Sequence, residues 1–241
     1  MSGHSKWHNI QKRKGAVDAK RGNAFGKLAK GITVAAREGG GDPLFNFRLR
    51  VAVDAAKAVN MPKDNIDRAI KRGTGAGGEG QIDEVIYEGF GPGGVALLIA
   101  CLTDNRTRTV AEVKRIMSKL GGTVGNPGSV MWMFDHKGVV MILDLTQIKN
   151  RDAFDLAMID AGAEDLREDE DGLQVVCGIR DLPAVSQAVE SQGVKLDGAG
   201  IEYLAKELMT VGDPEAQKQL DLLLEALDEN DDVDAVYTNA A

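Results

Sequence analysis

Thiols and imidazoles are scarce: this chain of 241 residues has two cysteines and three histidines. Cys101 and Cys177 each lie in an apolar, strand-like run and form no CxxC pair, which reads as two buried free thiols in a reducing compartment. His4, His8 and His136 do not cluster with them at ligand spacing, so neither a metal site nor a cofactor is expected. No apolar run approaches the roughly 18 to 20 residues that span a bilayer, so a membrane partner is not expected either. The basic start is not followed by an apolar h-region, which argues against a secretory signal and for a cytoplasmic protein. Nothing resembles GxSxG, a cysteine-protease signature or a Walker loop, so the chain does not read as an enzyme. The acidic runs "EDLREDED" and "DENDDVD" lack the spaced ligands and central glycine of a calcium loop and read as solvated turns.

What is present is charge, unevenly placed. The whole chain carries a formal charge of -8. Residues 1–72 hold 16 Lys/Arg against 6 Asp/Glu, whereas residues 73–241 hold 13 against 31. A basic module of that size attracts phosphate backbones, and the acidic remainder repels them and favours solubility. The expected partner is therefore nucleic acid, met by residues 1–72, with a protein partner open to the acidic part.

Residues 1–23 are basic and poor in large apolar side chains, so they read as an arm. Lys6, Lys12, Arg13, Lys14, Lys20 and Arg21 suit phosphate oxygens, and Trp7 suits either an exposed base or a hydrophobic anchor for the arm. From Ala24, Phe25, Leu28, Ile32 and Ala35 recur with helical spacing until Gly39–Gly41. A second helix fits Phe45 to Val59, with Phe45, Leu49, Ala52, Val53 and Ala56 on its apolar face and Arg48, Arg50 and Lys57 along it. A third helix starts near Pro62 and stops at Gly73, with Lys71 and Arg72 in its last turn. "GTGAGGEG" at 73–80 reads as a flexible hinge. Its GxGxxG match follows a helix and precedes a strand, the reverse of the dinucleotide-binding order.

Past the glycines the period changes. "IDEVIYEGF" and "GVALLIACLTD" read as a hairpin, "RTRTVAEVKRIMSKLGG" as a helix and "SVMWMF" as a strand. Asn105, Arg106 and Arg108 fall where a strand gives way to that helix, a place that suits an anion unless Arg108 pairs locally. Residues 138–205 then read β-α-β-β-α-β, the split ferredoxin-like order, and they interrupt a second α+β unit. The expectation is an α+β protein of three domains. They are a basic arm with a three-helix bundle (1–78), a discontinuous α+β domain (79–134 and 206–241), and an inserted one (135–205).

Several motifs in one order also resemble a known family. "GHSKW", "DAKRG", "RLR", "AKAVNMPKDNIDRAIKRGTG", "YEGFGPGGVALLI", "DNRTRTVAEV" and "GSVMWMF" are similar to the YebC/PmpR family of bacterial regulators, whose mitochondrial relatives activate translation. Phe47 stands where that family has proline, and "GKLAKGITVAAR" is richer in glycine than usual. The resemblance implies a helical N-terminal domain and two ferredoxin-like α+β domains, one inserted in the other. It implies a DNA-binding transcriptional regulator or, alternatively, a ribosome-associated factor that relieves stalling at proline runs. A protein-only adaptor is the third class left open by the residues.

Overall fold

A computed structural model describes residues 18–75, 81–169 and 172–241. Among the described residues three helices come first: α1 (Asp18–Gly39), α2 (Phe47–Ala58) and α3 (Lys63–Gly73). Helix α1 thus begins inside the stretch expected to be an arm. Ile32, Ala35, Leu49, Val53, Ala56 and Ile66 close a core of small and medium side chains among the three. The last residue of α3 is a close-approach glycine, because a Cβ on Gly73 would lie 2.3 Å from the Thr33 carbonyl oxygen of α1. Helix α2 starts two residues later than its apolar pattern suggests. Asn46 caps it, accepting from the Leu49 amide at 3.0 Å. Phe45 therefore falls outside the helix and is 87% exposed, not part of a buried face.

The first sheet has strand order β3-β1-β2-β8, from β1 (Asp83–Phe90), β2 (Ala96–Thr103), β3 (Thr123–Val124) and β8 (Val233–Thr238). Strands β1 and β2 form the expected antiparallel hairpin, with Asp83 opposite Thr103 and Phe90 opposite Ala96. Its turn runs through Gly93 and Gly94 at φ of +76° and +79°, where a side chain would be strained. Helices α4 (Arg106–Lys119) and α7 (Pro214–Asp228) cover one face, packing Val113, Met117, Leu220 and Leu223 on Leu97 and Ile99. On the other face Val34 of α1 meets Ile82 and Leu102. The strand expected at "SVMWMF" is instead a 3-10 turn, Met131–Met133, and Thr123–Val124 supplies the third strand by pairing with Gly89 and Phe90.

The second sheet runs β5-β6-β4-β7, built from β4 (Phe134–Ile142), β5 (Ala163–Asp169), β6 (Gly172–Cys177) and β7 (Gly198–Ala205). Helices α5 (Arg151–Asp160) and α6 (Leu182–Ser191) make the crossovers, so the split order read from the sequence is the one found.

Contacts divide the chain into two compact units. One is Asp135–Leu204, and the other joins the described residues up to Phe134 with Ala205–Ala241. The helices and the first sheet therefore belong to one unit, linked along the chain by the 73–80 segment expected to be a flexible hinge. Residues 76–80 of that segment lie outside the described residues. The physical reason for the single unit is a set of polar ties beyond the apolar seam. Lys27 donates to the Asp228 carbonyl, Arg37 to the Ile82 carbonyl, and Lys30 to the Asp232 carboxylate at 2.6 Å.

Candidate nucleic-acid interface

The candidate contact residues read from the sequence fall into three groups. Lys6, Trp7, Lys12, Arg13 and Lys14 lie outside the described residues, and Lys20 and Arg21 sit at the start of α1. Arg48, Arg50, Lys71 and Arg72 lie on α2 and α3. Arg106 and Arg108 open α4.

The third group is already occupied by carboxylates. Arg106 Nε lies 2.7 Å from Asp83, and Arg108 bridges Asp104 at 3.0 Å and Asp232 at 2.8 Å. Local pairing is thus the alternative that the geometry takes for Arg108. Asp232 is the hub: it also accepts from Thr109 Oγ1 at 2.7 Å and from Lys30. Burial works to raise its carboxyl, but the hydrogen bonds from Lys30, Arg108 and Thr109 outweigh burial and hold it at about 2. This cluster joins α1, α4 and the start of β8, and it serves the fold.

Arg48 is likewise a tie between elements, pairing with Glu38 of α1 at 2.5 Å and Glu84 of β1 at 3.1 Å. Its partial burial opposes the charged form, and the two carboxylates more than compensate, raising its pKa. Arg50 lies over the Phe47 ring, 5.1 Å from its centre, so this aromatic anchors a guanidinium. Lys71 is exposed and Arg72 half-buried.

Between α2 and α3 an open groove of about 560 Å³ is floored by Val53, Met61, Ile66 and Ile70 and bounded by Pro43. Its charged members are Lys57, Lys63, Lys71 and Asp67. Leu44 and Phe45, both 87% exposed, follow Pro43 in the α1–α2 loop. An apolar stripe extended along α2 to Phe45 hides this surface in the sequence. The signal was there: Asn46 lies three residues before Leu49, the spacing of a helix cap, and "DP" opens a turn ahead of it.

A second exposed aromatic, Trp132, is 67% exposed on the 3-10 turn. Beneath it the buried Glu88 carboxylate accepts from the backbone amides of Gly128, Val130 and Met131, the last two at 2.8 Å. Among the described residues no group of three His, Cys, Asp or Glu could hold a metal ion. No helix among them is long and apolar enough to cross a membrane.

Two family models together span almost all of the chain. Residues 5–76 match the TACO1/YebC protein N-terminal domain, and residues 82–240 match the TACO1/YebC second and third domain. A protein of Herpetosiphon aurantiacus named "probable transcriptional regulatory protein" is 48% identical over 99% of this chain and 94% of its own length. A protein of the same description from Desulfotalea psychrophila is 50% identical over 99% of this chain and 95% of its own length. The crystal structure of a conserved hypothetical protein from Aquifex aeolicus superposes with a TM-score of 0.85 at 39% identity. That superposition covers 94% of this chain and 92% of the other.

Proposed function

This chain belongs to the TACO1/YebC family, and from that premise we propose that it is a non-enzymatic, DNA-binding regulator of transcription acting in the cytoplasm. Its relatives carry the name "probable transcriptional regulatory protein", which supports the regulator class. The observation that carries nucleic-acid binding is the charge division, with 16 Lys/Arg against 6 Asp/Glu confined to residues 1–72. In the proposed mechanism these cations neutralise phosphates and release counterions, and no catalytic step is needed. The acidic remainder keeps the contact confined to one module and presents a surface to protein.

The test is a salt titration of the full chain on duplex DNA. Log K should fall with log[salt] at roughly -0.9 per neutralised phosphate. Replacing Lys12, Arg13 and Lys14 by Ala should flatten that slope, and an unchanged slope would remove the arm from the interface. A transcriptional regulator should also prefer its site over random duplex by roughly 10³-fold or more. Discrimination of only a few-fold, together with co-sedimentation with ribosomes, would favour the translation-factor reading.

A further inference from the structure

We propose that the α1–α2 loop and the α2/α3 groove form a binding site for an unpaired nucleotide strand. In this site Phe45 stacks on a base, and Lys63 and Lys71 meet its phosphates. The inference rests on the nucleic-acid reading above and deepens it by naming the form of nucleic acid that the helical module takes.

The loop is pinned rather than loose. The Asp42 carbonyl accepts from the amides of Phe45 at 3.1 Å and Asn46 at 3.0 Å, and the Asp42 carboxylate accepts from Leu44 at 2.9 Å. Asn46 is buried and donates to the carbonyls of Ala35 at 2.7 Å and Gly40 at 2.8 Å. A backbone held at so many points keeps Leu44 and Phe45 from folding back onto the core. Both remain 87% exposed, side by side. Single exposed apolar residues are ordinary, but these two directly follow Pro43 in the chain, and Pro43 lines a groove whose floor is also apolar.

Charge selects the occupant. The groove's charged members are Lys63, Lys71, Asp67 and Lys57, the last paired with Asp54 at 3.0 Å, in a module with ten more cations than anions. An apolar polypeptide would fit the floor but gains nothing from that field. A polyanion gains from it, and only an unpaired strand can also turn the face of a base toward an aromatic ring. Base–aromatic stacking is tolerant of sequence, so the site adds affinity for single strands without reading a particular base.

The experiment measures binding of the full chain to fluorescent oligo-dT and oligo-U strands of about 12 nucleotides, and to a duplex of similar length. The expected result is tighter binding of single strand than of duplex at equal salt. Phe45→Ala should weaken single-strand binding by roughly tenfold, the loss expected for one stacked base, and leave duplex binding within about twofold. The Lys63→Ala, Lys71→Ala double variant should lower the salt slope on single strands. The two strands separate the sources, since an oligo-U preference points to RNA and an oligo-dT preference to DNA.

Phe45 is 87% exposed and is not part of the helical core cluster, so its replacement should leave thermal stability unchanged. If Phe45→Ala changes neither form while the Lys12, Arg13, Lys14 variant weakens both, the broader reading stands and this site is wrong. Failure of the unmodified protein to bind any nucleic acid would remove both. A photo-crosslinking residue at position 44 should capture nucleic acid in cells, and adducts confined to polypeptide would overturn the proposal in favour of a protein partner.

Discussion

Asp232 shows how one buried carboxylate can draw cations from two helices into a single cluster. It gathers Lys30, Arg108 and Thr109 from α1 and α4 and is itself buried. Its carboxyl lies at about 2 in the folded chain and near 3.9 when unfolded, so the unfolded chain takes up the proton first as pH falls. The stabilisation is complete above about pH 4 and is lost as pH drops toward 2. Asp232→Asn should therefore cost about 1–2 kcal/mol at neutral pH, discounted for the half-exposed Arg108 partner. The gap to wild type in urea titrations should narrow below pH 4, and a gap that is flat with pH would refute the assignment. The cysteines behave in the opposite sense. Burial pushes Cys101 up to about 12 and Cys177 up to about 11, so both stay as thiols. A disulfide-exchange reagent should leave both unlabelled in the native chain and label both after denaturation.

Elements were legible in the sequence where periodicity alone decides them, as in α3 and the β1–β2 hairpin. They were misread where a polar side chain decides. The apolar pattern carries α2 through Phe45, and only the Asn46 cap ends it at Phe47. Asn46→Ala removes that cap and strips donors from two carbonyls, so a loss of about 2 kcal/mol is expected in chemical denaturation. "SVMWMF" has strand composition, but the Glu88 carboxylate claims the amides that a strand would give to a neighbour. Burial alone would raise the Glu88 carboxyl, and those backbone donors outweigh it and lower its pKa. Glu88→Gln offers one carbonyl oxygen where two carboxylate oxygens served three amides. Amide exchange at Gly128, Val130 and Met131 should accelerate in that variant. Unchanged protection at all three would show that the loop is held by something else.

At the scale of the molecule, the strand order of the second sheet was legible because its elements alternate in period without interruption. The attachment of the helical module to the first sheet was not. A run of glycines looks the same whether or not the elements on either side touch, and here Lys27, Lys30, Arg37 and Arg48 bind across the join. Cutting the chain at residue 72 would strip Val34 from Ile82 and Leu102 and Lys30 from Asp232, so that truncation would confound loss of binding with loss of stability.

The inserted unit offers a cleaner cut. The chain leaves for it at Phe134 and returns at Ala205, and the Lys206 amide bonds the Met133 carbonyl at 3.0 Å, so the two ends are already adjacent. Joining residue 134 to 205 through a short glycine linker should yield a folded protein. It would lack a unit with 15 Asp/Glu and 6 Lys/Arg. If the basic module alone meets nucleic acid, removing that negative field should raise affinity at low salt and leave the number of neutralised phosphates unchanged. A fall in affinity with an intact melting transition would instead put the inserted unit in the interface, and the charge division would no longer locate the site.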